Sequence, residues 1–284
     1  MGKYFRANHL LTIITTGMGI ALFLYPFLFP ELVRRFGASL HQNDFAYSVT
    51  GLLIVCLAVM LYQIQAEKLD TRMVALLGVL IAINSALRFL ETAFPGPAGF
   101  TPVFFLIIMV GYIFGGQIGF LMGALTMAVS AVITGGVGPW LPGQMLTAGW
   151  VGMSAPLARF FVHMFHGEGK RIEVILLCIG GAFWGLFYGL VINLWFWPLI
   201  AGPVEQSWQA GTDAGTTLRH YLTYYVFTSL IWDLAAGAGN TLMIAAFGIP
   251  TLRALRRFSQ RFSFQKTQPE GIWTGSVGGR GHET

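Results

Sequence analysis

Apolar residues fill this chain in long runs, broken by short polar or glycine- and proline-rich stretches. Eight runs stand out, at roughly 9–29, 47–66, 72–90, 102–114, 116–134, 143–164, 172–199 and 218–249. A helix needs about 20 residues to cross a hydrocarbon core about 30 Å thick, so runs of this length predict membrane-spanning helices. The fourth is short and meets the fifth at Gly115-Gly116, which predicts a tight turn between two helices. One break is unlike the rest. Gly136-Val137-Gly138-Pro139-Trp140-Leu141-Pro142-Gly143-Gln144-Met145 sets an aromatic ring and a glutamine into irregular backbone at one membrane face.

Composition sharpens the picture. The chain is 55% apolar and 10% charged, with mean hydropathy +0.66, where a soluble domain carries roughly 25% charged residues. The expected fold is an all-α integral membrane protein of about eight transmembrane helices. Of 17 Lys and Arg residues, Arg34, Arg35, Arg88 and Arg219 fall on one side of this arrangement and the others on the opposite side. The positive-inside rule then puts both termini in the cytoplasm and the loops at 30–46, 91–101, 135–142 and 200–217 outside. The net charge of +5 sits in short clusters beside apolar runs and is no nucleic-acid footprint. The first run is too long for a signal peptide's apolar region, and Phe29-Pro30-Glu31 offers no cleavage site. Three parts are expected: a two-helix extension (1–66), a core (67–249) and a basic tail (250–284). The tail starts as an amphipathic stretch suited to anionic lipid and turns glycine-rich and polar from about Thr267.

Small residues recur every four positions in three runs: Gly78, Ala82 and Ala86; Gly115, Gly119 and Gly123; Gly181, Gly185 and Gly189. Each marks a face for close helix contact, within this protein or with a partner. Asp233 falls in the middle of the last run, where a carboxylate is costly and needs a partner or a proton. Asn84, Arg88, Asn193 and Asn240 are its candidate partners. Arg88 has Glu91 three residues on, spaced for a pair. Trp140, Trp195, Trp197 and Trp208 fall near one interface, as an aromatic belt or as stacking surfaces for a flat ligand. Cys56 and Cys178 read as small core residues, and His163 and His166 have too few neighbours for a metal. The chain has no GxxxxGK[ST], GxSxG or HExxH, so an enzyme reading has little support, and no cofactor is expected.

Three passages carry a family resemblance: Leu76 to Arg88; Gly115 to Leu125 continuing through Gly138 to Met145; and Asn193-Leu194-Trp195-Phe196-Trp197-Pro198 with Trp232-Asp233. Over about 67–264 the chain resembles the substrate-specific (S) component of energy-coupling factor (ECF) transporters, which import vitamins in prokaryotes. It is most similar to a longer group from actinobacteria and related bacteria. The resemblance implies a six-helix core from the third run onward, with the first two runs as an addition. It also implies a prokaryotic plasma membrane, a substrate held under outward loops, and a body that topples in the membrane to carry it inward. Partners would be a transmembrane (T) subunit, contacted through Ala82 and Ala86, and two ATPase subunits, which would answer the missing P-loop. Depth and chemistry, not a carried-over motif, select Asn84, Arg88, Trp140, Gln144, Asn193 and Trp197 as pocket candidates. The Gly-Pro-Trp-x-Pro-x-Gln-Met pattern is similar to S components assigned to cobalamin or its precursors, so a corrinoid is the first expected substrate. Two other readings stand beside this one: a stand-alone transporter using Asp233 as a proton site, and a membrane assembly factor without a ligand.

Overall fold

The apolar runs become helices or helix pairs. The computed structural model describes residues 2–31, 42–65, 70–93, 101–200, 202–209 and 211–266, and all regular structure among them is helical. In order these are α1 (Gly2–Phe23), α2 (Tyr25–Leu28), α3 (Gln42–Gln65), α4 (Thr71–Ala93), α5 (Val103–Phe114), α6 (Gly116–Thr134), α7 (Leu141–Ser154), α8 (Leu157–Met164), α9 (Arg171–Phe196), α10 (Ala214–Thr228) and α11 (Leu230–Lys266). Short 3-10 turns at Trp197–Leu199 and Val204–Gln206 link α9 to α10. Among them α4, α6, α9 and α11 are long and apolar enough to cross a membrane, and α1, α3 and α5 carry shorter apolar stretches. The chain is an all-helical integral membrane protein. The expectations placed on Arg34, Arg35 and the residues after Lys266 lie outside the described residues.

Gly115 makes the expected turn. Its φ of 103° is open to glycine at little cost, and its N–H reaches Gly111 O at 3.0 Å while its carbonyl accepts from Gly119 N at 3.0 Å. Two of the three small-residue faces are used inside the bundle. On α6, a Cβ at Gly119 or Gly123 would run into the backbone of Gly152 or Ala148 on α7, and Gly111 of α5 meets Gly152 as well. On α9, Gly181 faces Ile244 and Asn240, Gly185 faces the Gly237 backbone, and Gly189 faces the Asp233 carboxylate, all on α11. The third face is vacant: nothing described lies within 4 Å of a Cβ at Gly78, and Ala82 and Ala86 are exposed.

Two expected spans differ in detail. The run at 143–164 breaks at Pro156, which has no N–H to continue α7 and instead starts α8. The run at 218–249 breaks at Ser229, whose φ of −128° ends α10. The expected boundary at Pro250 is absent, and α11 passes through it. The buried face of α11 explains this. Ile244, Leu252 and Leu255 follow one stripe across the proline and stay in the core, which outweighs one lost hydrogen bond. Arg256, expected at the lipid surface, is paired with buried Glu173 on α9.

The first three helices share the core. Phe23 of α1 and Leu53 of α3 pack where Gly143 opens α7, and Gly19 lies against the Trp150 indole. Aromatic contacts then clasp α2 to the ends of α9 and α10. Trp197 lies 6.2 Å from Phe27 and 5.0 Å from Tyr221, centroid to centroid, and Tyr25 Oη donates to Trp195 O at 3.1 Å.

Gly152→Val should lower the thermal midpoint of the detergent-purified protein sharply, by an overpacking cost of about 1–3 kcal/mol. Gly78→Val should leave it near the parent value. Asp213 caps α10, accepting from Thr216 N at 3.0 Å and from Thr216 Oγ1 at 2.6 Å. These bonds hold its carboxyl below the usual carboxylate range. A depressed folded value means the cap is fully stabilising above the ordinary pKa, about 3.9. It is lost as pH falls through the folded value. The protection of the Thr216 amide relative to an unprotected amide at the same pH should therefore fall on acidification below about 4, and Asp213→Ala should show the low protection at every pH.

Candidate binding site at the head of helix α5

Helix α5 is 12 residues long, about 18 Å, roughly half of what a bilayer core requires. Its sequence, VFFLIIMVGYIF, is apolar on every side because ten of its residues are buried. Its first turn lies inside the bundle, level with Asn84 on α4 and Asn240 on α11. Asn84 is about 13 Å below the last residue of α4. A helix that starts there must find partners for its free N–H groups. Val103 N donates to Thr101 Oγ1 at 3.4 Å, Phe104 N to Asn240 Oδ1 at 2.9 Å and Phe105 N to Pro102 O at 3.0 Å. Asn240 is locked by its own bond to Ala236 O at 2.8 Å. Asn84 Nδ2 donates to Val103 O at 3.0 Å and lies 3.4 Å from Thr126 Oγ1 on α6.

Polar groups gather around this helix head. Asn84, Arg88 and Glu91 share one face of α4 by their i, i+4, i+7 spacing. The Arg88 guanidinium points at the Met127 sulfur on α6, and Glu91 is within reach of Arg88 and the Thr101 hydroxyl. From α9 comes Tyr188, whose ring centroid lies 4.8 Å from that of Phe104 and which is in electrostatic reach of Arg88 and Asp233. Asp233 of α11 packs against Gly189, with the Tyr225 hydroxyl between it and Leu186 O. Three acceptors here are buried without a partner among the described residues: Asn84 Oδ1, Glu91 Oε2 and Asp233 Oδ2. Each such orphan costs about 1–3 kcal/mol, so two on α4 and one on α11 call for an explanation.

The predicted site residues divide among three places. Asn84 and Arg88 stand together at the head of α5. Trp140 folds back on its own hairpin, its Nε1 bonding Gly136 O at 3.1 Å, and stays 45% exposed. Gln144 follows one turn later and is half-buried. Asn193 donates to Ser229 Oγ at 2.8 Å and ties α9 to the break before α11. Trp197 is fully buried, and its indole N–H is spent on Gln206 O at 2.7 Å. Asp233 is not in mid-helix. The break at Ser229 puts it in the first turn of α11, and Tyr225, absent from its expected partners, is the group beside it. Glu91, Tyr188 and Asn240 join the site without having been singled out for it. The Asn84–Arg88–Glu91 spacing was the available signal for the first. Nothing local marks the other two.

The opposite end of α5 is tied down by polar contacts. Tyr112 Oη donates to Glu173 Oε1 at 2.6 Å, Arg256 pairs with the same carboxylate, and Gly169 N donates to Glu173 Oε2 at 3.0 Å. Arg159 of α8 caps the last carbonyls, reaching Ile113 O at 2.6 Å and Tyr112 O as well.

Comparison with known proteins decides the family. A model of the ECF transporter substrate-specific component matches residues 72–247, more than half of the chain. The chain belongs to the ECF transporter S components. The matched stretch runs from the start of α4 into α11 and contains the whole helix-head cluster, while α1–α3 lie before it. Neither a curated protein nor a solved structure matches the chain. An S component is the substrate-specific membrane part of a transporter rather than an enzyme, and it works with T and ATPase modules.

Asn240→Ala in this S component should strand the Phe104 N–H in the interior. The expected loss is about 1–3 kcal/mol, read as a lower unfolding midpoint in detergent. A variant as stable as the parent would mean that this end of α5 is hydrated.

Proposed function

We propose that this S component captures a vitamin or related small organic molecule at the head of α5 and delivers it for ATP-driven uptake by its partners. The supporting observation is the set of three unpartnered buried acceptors beside Arg88. They lie on two helices, α4 and α11, and have a donor deficit that a bound ligand would relieve. With the basic side facing the cytoplasm, the helix head opens toward the outside and the Glu173 contacts lie inward, so both termini are cytoplasmic. The membrane is then the plasma membrane of a prokaryote. Residues 67–249 act as the substrate-binding core, 1–66 as an added helix pair and 250–284 as a cytoplasmic tail. Asn84, Arg88 and Asp233 hold the substrate, while Trp140, Gln144, Asn193 and Trp197 shape the region above it. A site framed around the fully buried Asn84 suits a compact ligand better than the corrinoid suggested by residues 136–145.

The vacant face of α4 is the docking surface for the T subunit. Gly78, Ala82 and Ala86 form a shallow strip between exposed Val79 and Ile83, and no helix among the described residues covers it. Close backbone approach is what such a strip offers a second membrane protein.

The test uses cells that express the T and ATPase subunits with this chain. Ala82→Trp with Ala86→Trp should abolish uptake and co-purification of the T subunit, and leave ligand affinity in detergent within about twofold of the parent, well inside the tenfold that 1.4 kcal/mol represents. If affinity falls as far as uptake, the strip is internal packing. Mass spectrometry of the co-purified molecule identifies the substrate, and a corrin absorption spectrum would replace the compact ligand with a corrinoid. Uptake that survives loss of the ATPases would instead make the chain a stand-alone transporter.

A further inference from the structure

The groups left over at the head of α5 describe their missing partner. The N–H groups of Val103, Phe104 and Phe105 are already taken, so the positive end of this helix does not offer them to an anion. What remains is of two kinds. Asn84 Oδ1, Glu91 Oε2 and Asp233 Oδ2 are acceptors that lack a donor among the described residues, and Asn84 is fully buried. Arg88 is the reverse case. Its planar fork has five N–H donors, and the partner it meets is the Met127 thioether, a weak acceptor. Asn84, Arg88 and Glu91 come from α4, and Asp233 comes from α11. Tyr188 is within electrostatic reach of Arg88 and Asp233 and presents a ring beside Phe104.

Charge points the same way. Arg88 and Glu91 offset each other along α4. Asp233 has no ion-pair partner among the described residues, so the cluster carries one uncompensated negative charge when all three groups are ionised. A ligand with only carboxylate or phosphate groups would add to that charge and leave the acceptors unpaired. A simple alkylammonium would leave Arg88 against its thioether. Both demands are met by one molecule with two unlike edges.

We infer that the ligand is an amphoteric nitrogen heterocycle, with a protonated or amino N–H edge donated to Asp233, an acceptor edge taken by Arg88 and its ring against Tyr188. This rests on the head of α5 being the substrate site. Recognition of this kind discriminates steeply, because an analogue lacking one edge leaves a buried charged group unpaired.

The test is calorimetric titration of the purified full-length protein with three small ring compounds. Pyridoxamine has both edges, nicotinate the anionic one and benzylamine the cationic one. Pyridoxamine should bind at least tenfold more tightly than either of the others. Asp233→Asn and Arg88→Gln should each weaken it at least tenfold, with Glu91→Gln as the second acidic variant should Asp233→Asn fail to fold. Nicotinate or benzylamine binding as tightly as pyridoxamine, with sensitivity to one pole alone, overturns the amphoteric ligand and keeps the site. Binding that none of the three variants alters overturns both. Absence of binding by all three compounds at millimolar concentration overturns the amphoteric ligand; uptake by Arg88→Gln and Asp233→Asn in cells with the T and ATPase subunits then judges the site by itself, an unchanged rate overturning it.

Discussion

Close contact between helix backbones at glycine is the constraint from which the rest of this structure follows. Lipid is as apolar as a leucine side chain, so helices gain little from hiding apolar surface and depend on how near they can come. Gly111, Gly119 and Gly152 bring α5, α6 and α7 together at one crossing, and Gly185 with Gly237 does so for α9 and α11. These crossings hold α5 on the bundle axis, enclosed by its neighbours. A short helix in that position has its first turn in the apolar interior, where each free N–H needs a partner. Thr101 and Asn240 answer that need, and Asn84 grips the first carbonyl. The polar cluster is thus a consequence of how the bundle packs as much as a feature placed upon it.

Lipid made much of the fold legible in the sequence. It imposes long apolar runs, and it makes small-residue spacing meaningful, so the spans and the Gly115 turn could be read directly. Which of three small-residue faces stays vacant could not, because spacing says that a face is used and not by what. Interruptions inside apolar runs were harder. Ser229 carries no glycine or proline signal, so nothing in the sequence marks the break that puts Asp233 in the first turn of α11. Pro250 carries a strong signal that the continuous buried stripe through Ile244 and Leu252 overrides. Asn84 and Arg88 stood out as polar residues in an apolar run. Asn240 stood out only as a candidate partner for Asp233, and Tyr188 not at all, since their place beside α5 depends on the depth at which that helix begins, which no local pattern encodes. The tryptophans are ambiguous for a related reason: at an interface, rings that face lipid, rings that clamp one element to another and rings that line a pocket have the same sequence position.

The two ends of the bundle are held by different chemistry. At the end holding Trp197, rings from α2, α9 and α10 interlock, and their polar tips bond to backbone carbonyls at Gln206, Trp195 and Leu190. At the other end a single buried carboxylate, Glu173, gathers a tyrosine, an arginine and a backbone N–H from three segments. Ring contacts tolerate sliding, since their energy varies slowly with small displacements. A buried ion pair does not, because losing either member leaves a bare charge.

The placement of the first helices has an architectural outcome. They dock on α7 and α9 through Gly143, Trp150 and Ile192, away from the bare strip of α4. Helices on that flank enlarge the area the molecule occupies in the bilayer while leaving the α4 strip uncovered among the described residues. A chain of this design can gain bulk, and with it a new neighbourhood of lipid, without renegotiating the shape it shows to whatever it must slide against.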